Sequence, residues 1–152
     1  MKRAIAAGAL YFLLIFLLGM ALGTVRILLT EPRLGPVPSV LLELPFMITA
    51  SWFICGWLIR YLFVPATLSD RAAMGALAFL LLMGAELALS VFAVGGTVEG
   101  HFADYLEAAP FIGLLGQITY AAFPLLRARW STGLMKVFPA SIQPRRPVKT
   151  RI

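Results

Sequence analysis

The sequence predicts an all-α membrane protein: a transmembrane four-helix bundle, up-down-up-down, with both termini cytoplasmic. Three observations predict it. Of 152 residues, 61% are hydrophobic and only 13% charged, with a mean hydropathy of +0.90, whereas soluble domains carry about 25% charged residues. The apolar residues gather into four runs of membrane-crossing length. The basic residues collect on one side of those runs.

The first run, residues 4–25, is 22 residues without a charge. At ~1.5 Å per residue it reaches roughly 33 Å, enough for a hydrocarbon core of ~30 Å. Lys2, Arg3 and Ala21-Leu22-Gly23 imitate a secretory leader and its cleavage site. An h-region is normally about 7–15 residues, so the longer run is expected to remain as a span. The second run, 44–59, extends to about 41–64 by taking in Glu43 and Arg60, whose side chains can snorkel toward the interfaces. The third, 72–98, is apolar except for Glu86, and the fourth, 108–126, is uncharged. With their flanks, the spans are expected at about 4–29, 40–64, 71–96 and 108–127. They form one membrane domain, 1–130, followed by a basic tail, 131–152, partly interfacial and partly disordered.

Breakers punctuate the runs. Pro32, Gly35, Pro36 and Pro38 are expected to fill the first connection, and Pro65 to end the second span. Ser69 or Asp70 is the expected cap of the third, and Gly95, Gly96 and Gly100 loosen its exit. Pro110 suits the first turn of the fourth. Pro45 is expected to kink the second span or mark its start, and Pro124 to act likewise near the end of the fourth.

Cytoplasmic termini put all of the 13 basic residues except Arg26 and Arg33 on the inner face. Glu31, Glu43, Glu99, Asp104 and Glu107 then lie outside, with Asp70 inside. This is the positive-inside pattern of a multi-pass membrane protein with cytoplasmic termini. Trp52, Trp57, Tyr61 and Trp130 near the expected boundaries agree. The net charge of +6 therefore records orientation. The tail lacks the interleaved aromatics of a nucleic-acid platform, so no nucleic-acid partner is expected. Arg127, Arg129 and Lys136 are expected to meet lipid headgroups.

Scarcity excludes several chemistries. Cys55 is the one cysteine and His101 the one histidine. Paired haem ligands, quinone-linked thiol pairs and zinc sites of three or four Cys/His ligands all fail for want of residues. No cofactor is expected. Ser51 has no companion histidine or lysine placed to activate it.

The costly residues are few. Glu86 stands 14 positions after Ala72, roughly 21 Å along a helix of ~1.5 Å rise. A carboxylate at that depth costs at least ~2.5–3.5 kcal/mol unless it is paired, hydrated or protonated. Arg26 reaching down from span one, and Gln117, Thr119 or Tyr120 of span four, are the expected partners. Arg26 and Glu43 close spans joined by a short connection, so an ion pair is expected between them. Gly19 and Gly23 make a small-x3-small face for close helix packing, within the bundle or in a homodimer. His101, Asp104 and Glu107 recur every three residues and would share a face if a helix began at Phe102, a weak candidate set for a divalent cation.

The motifs Gly23-Thr-Val-Arg26, Pro32-Arg33-x-Gly35, and Glu43-x-Pro45 followed by Ser51-Trp52 fall within residues 19–52. This stretch, about a quarter of the chain, resembles small uncharacterised four-helix bacterial inner-membrane proteins. The resemblance implies location and architecture, and no activity. Small multidrug transporters carry a membrane-embedded glutamate in their first helix, and span one here has no acid. The expected function is a non-catalytic integral membrane protein acting as an oligomer or accessory subunit, with a polar cluster in the outer half of the bundle. The alternatives are a proton- or cation-coupled transporter or channel using Glu86, and a lipid-modifying membrane enzyme with Glu43 or Glu86 as acid–base residue. Expected partners are membrane lipids and a second copy or a larger membrane complex.

Overall fold

The computed structural model describes the backbone of residues 1–137 and the side chains of residues 1–128. Every regular element among them is helical. Helix α1 (Lys2–Val25) runs through a wide π-helical turn, Arg26–Thr30, into the short α2 (Glu31–Leu34). Helix α3 spans Pro36–Tyr61. Helix α4 (Leu68–Ala88) also ends in a π-helical turn, Leu89–Ala93. The short α5 (Val98–Asp104) precedes the long α6 (Ala108–Val137).

Four segments are long and apolar enough to cross a membrane: Lys2–Leu34, Pro36–Tyr61, Leu68–Ala93 and Ala108–Ala128. Large apolar side chains such as Leu17, Phe53, Trp57, Leu80 and Phe111 point outward from them. In water such a surface would be costly. In lipid it is matched, because each helix satisfies its own backbone hydrogen bonds.

The prolines of the expected first connection do not make a loop. Pro32 lies in the first turn of α2, and Pro36 and Pro38 in the first turn of α3, where no intrahelical N–H is needed. The chain breaks at Gly35 alone, whose φ of +83° a side chain would oppose. The first apolar helix consequently runs to Leu34 rather than 29, and the second begins at Pro36 rather than 40. Thr67, not Ser69 or Asp70, caps α4: its Oγ1 accepts the Asp70 N–H at 3.2 Å. Pro124 lies inside α6 rather than near its end, and the backbone stays helical to Val137. The side chains of Arg129 and Lys136 and the tail beyond 137 lie outside the described residues.

Helix α1 packs on α3 and α4, and α6 packs on the same two helices, closing a ring. At its centre Tyr11 is fully buried. Its hydroxyl lies 3.2 Å from the carbonyl oxygens of both Ser51 and Tyr120, and its ring sits 4.3 Å from that of Tyr120. One side chain thus ties α1, α3 and α6 together. Ile15, Cys55, Leu58, Met74, Ala78 and Phe123 fill the core around it.

The closest helix approaches run through glycines. A Cβ on Gly75 would collide with the Ala121 carbonyl, and one on Gly8 would sit 2.8 Å from the Met74 carbonyl oxygen. The space beside Gly56 is taken by the Arg127 guanidinium. The Arg127 guanidinium therefore points into the bundle. Its Nη2 donates to the Trp52 carbonyl at 2.8 Å, and its guanidinium lies 4.1 Å from the centre of a Trp52 ring. Arg71 is also buried, donating to the Val64 and Pro65 carbonyls at 3.0 Å and so fastening the α3–α4 turn. The N-terminal ammonium lies 2.7 Å from Asp70 Oδ1, which brings the start of α1 beside the start of α4.

Candidate functional site

Toward the α5 end the four long helices separate around a cavity of about 400 Å³. Its wall is mostly apolar, with Ile15 and Phe16 from α1, Met47 from α3 and Leu82 from α4. Glycines make the room. A Cβ on Gly23 or Gly113 would have nothing within 4 Å, and one on Gly19 would meet only Met47 Cε at 3.4 Å. The expected small-residue face of Gly19 and Gly23 is therefore no close crossing inside this bundle; both residues border the cavity. The lining extends to the exposed residues Met20 and Ile27, so the space reaches the surface along α1. Its volume falls in the ~300–1,000 Å³ range of small-molecule pockets.

Arg26, Glu43, Glu86 and Gln117 all line this cavity. They form two clusters. In the first, Arg26 Nε lies 2.9 Å from Glu43 Oε2 and Nη1 lies 3.3 Å from Glu31 Oε2. The π-helical turn explains Glu31, because its i→i+5 bonding brings residues five apart onto one face. Arg26 is thus engaged by two acids. The expectation that it reaches down to Glu86 is corrected: none of its ion pairs involves Glu86. A smaller pocket of about 130 Å³, bordered by Leu22, Ser39 and Phe46, also has Arg26 and Glu43 in its wall. The ion pair partitions the two spaces.

In the second cluster, Gln117 Nε2 donates to Glu86 Oε1 at 2.6 Å. The Tyr105 hydroxyl donates to Glu86 Oε2 at 3.5 Å, and lies 3.4 Å from His101 Nε2. Of the three residues offered by span four, only Gln117 reaches the carboxylate. Thr119 donates to the Leu115 carbonyl of its own helix at 2.9 Å. Tyr120 borders the cavity, and its hydroxyl is buried without a hydrogen-bond partner. The Tyr105 phenol is pushed up to about 12, first by burial and then by the negative charge of Glu86 beside it. It therefore stays protonated, as a donor, throughout the neutral range.

Tyr105 was not among the residues singled out from sequence. It sits between α5 and α6, in a segment whose pattern offers only acids and an aromatic. Thr97 caps α5 by accepting the Gly100 N–H at 3.0 Å, which fixes the helix that carries His101. Because α5 ends at Asp104 and a turn follows, Glu107 does not continue the face that Asp104 shares with His101 on α5. Asp104 and Glu107 are both exposed, and among the described residues no three His, Cys, Asp or Glu gather to hold a metal ion.

The arrangement combines an apolar cavity, one salt-bridged cation, and a carboxylate held by neutral donors. Such a carboxylate can gain or lose a proton without breaking an ion pair. Comparison with protein-family models, with curated proteins and with solved structures found no match.

Proposed function

We propose that this chain is a multi-pass protein of a bacterial inner membrane, up-down-up-down with both termini cytoplasmic, that couples proton movement to a small molecule or cation bound in its cavity, with Glu86 as the proton-carrying group. The observation that carries this reading is the cavity of about 400 Å³ that reaches Glu86. A purely structural carboxylate at this depth would be expected in a dry, filled core, because vacant space in a bundle forfeits packing. Here the helices keep glycines where larger side chains would close the gap. The lining holds one cation, Arg26, against two acids, Glu43 and Glu86, so a positively charged occupant is favoured.

The test is proton flux in liposomes that hold the purified protein and a trapped pH-sensitive dye. Wild type is expected to dissipate an imposed pH gradient faster than empty vesicles. Glu86→Gln is expected to lose about tenfold or more of that rate. Full flux in the variant, or none in wild type, defeats the reading.

One observation favours a second, non-catalytic reading as an accessory or oligomer-forming subunit. The polar side chains are partnered within the bundle, Arg26 with Glu31 and Glu43, and Glu86 with Gln117 and Tyr105. Polar contacts of this kind join membrane helices at ~0.6 kcal/mol on average. On that reading wild type gives no flux and Glu86→Gln changes only stability.

A further inference from the structure

Glu86 faces two environments. On one side it borders the cavity, whose lining reaches the surface along α1. On the other it is bonded to Tyr105, and Tyr105 to His101, neither of which borders the cavity. His101 is half-buried on α5, its ring 5.3 Å from that of Tyr105 in an edge-on arrangement. We infer that His101 and Tyr105 form a proton relay that connects the α5 surface to Glu86 by a route separate from the cavity. This inference rests on the proton-linked reading of Glu86 given above, and deepens it by assigning the proton its own entrance.

The chemistry follows from the donor and acceptor inventory. A phenol both donates and accepts, so it can pass a proton without holding a charge. Protonated His101 gives its Nε2 proton to the Tyr105 oxygen as the Tyr105 hydroxyl proton moves to Glu86 Oε2. His101 ends neutral, Glu86 ends as the neutral acid, and Tyr105 has exchanged one proton for another. Rotation of the phenol and reprotonation of His101 from water reset the chain. Imidazole is the side chain suited to that exchange near neutral pH. The 3.4 and 3.5 Å separations are long for hydrogen bonds, as expected of a path that tightens only when the proton moves.

The groups facing this chain are few. From α4 comes Glu86, from α6 the neutral Gln117, and from the end of α5 the exposed Asp104. Arg26 and Glu43 face Glu86 across the cavity but are paired with each other. A separate entrance has a functional consequence. Protons can reach Glu86 from the α5 surface while a cavity occupant is in place, which competition for a single opening would forbid.

The experiment compares His101→Gln, Tyr105→Phe and Glu86→Gln with wild type in the same liposome flux assay, over pH 5.5 to 8. Tyr105→Phe is expected to slow flux about tenfold at every pH. His101→Gln is expected to slow it and to flatten its pH profile, a change that a merely structural role would not produce. A second readout guards against misfolding. The infrared carbonyl band of protonated Glu86, assigned by its loss in Glu86→Gln, should exchange with deuterium about tenfold more slowly in Tyr105→Phe. Flux that depends on Glu86 but not on Tyr105 or His101, with unchanged exchange, overturns the relay and leaves the proton-linked reading standing. Flux independent of Glu86 overturns both.

Discussion

At the level of Gly8, Gly56 and Gly75 the helices touch backbone to backbone or backbone to guanidinium; at the level of Gly19, Gly23 and Gly113 they stand apart around a cavity. The same residue type serves opposite ends. In the first region the missing side chain lets helices approach, and Tyr11, Arg71 and Arg127 turn inward to fasten the approach with bonds to carbonyls. In the second it leaves volume, bordered by Arg26, Glu43 and Glu86. Lipid tails give helices no hydrophobic reason to associate, so close packing supplies the cohesion. One end of the bundle can therefore hold the fold while the other keeps room.

The sharpest way to break this comparison is to add side chains at both levels. Gly75→Leu must push α4 off the Ala121 carbonyl of α6. The expected cost is about 3 kcal/mol or more, since no flexible group can yield there. Gly23→Leu enters open space and should change stability by about 0.5 kcal/mol or less. Thermal unfolding in detergent reads both. Similar melting temperatures for the two variants would show that the two levels pack alike.

A smaller effect separates the two polar clusters of the open end. Arg26→Leu leaves Glu31 and Glu43 without their shared cation. Because all three are partly exposed, the expected loss is about 1–3 kcal/mol, below that of a fully buried pair. Glu86→Gln keeps an acceptor for the Gln117 amide. It should cost about 1 kcal/mol or less. If Glu86→Gln melts at or below Arg26→Leu, the carboxylate rather than the arginine is the structural element.

The four apolar helices were legible because a membrane span needs a long uncharged run and nothing subtler. Glu86, Arg26, Glu43 and Gln117 were legible because polar groups are costly there, and few residues qualify. What failed was direction around the helix. Rise along the axis gives depth, and by depth Arg26 could serve Glu86. The π-helical turn at Arg26–Thr30 changes the facing angle, bringing in Glu31 instead. A run of apolar residues carries no mark of where an i→i+5 bond will replace an i→i+4 one. The inward contacts of Arg127 were not legible for a related reason. Its distance along the chain suits a headgroup, but Gly56 and the Trp52 ring on a neighbouring helix offer it an inward seat. Tyr105 gave no signal, since an aromatic residue near an interface has a sufficient reason to be there without any partner.

The smallest effect tests whether the open end alone responds to alkali through Tyr105. Its phenol ionises ordinarily near 10.0 and is pushed up to about 12 by burial and by Glu86. A raised value in the folded state means that folding favours the neutral phenol. Its contribution is complete below pH 10, and is lost as the pH rises from 10 through about 12. Tyr105 is only half-buried, so water screens much of the interaction and the slope should be shallow. Melting temperatures measured across that window should fall more steeply in wild type than in Tyr105→Phe, which has no proton to lose. Equal slopes would mean that the Tyr105–Glu86 contact is absent in the membrane-extracted protein. The relay would then lose its middle member, although the cavity and its paired arginine would be untouched.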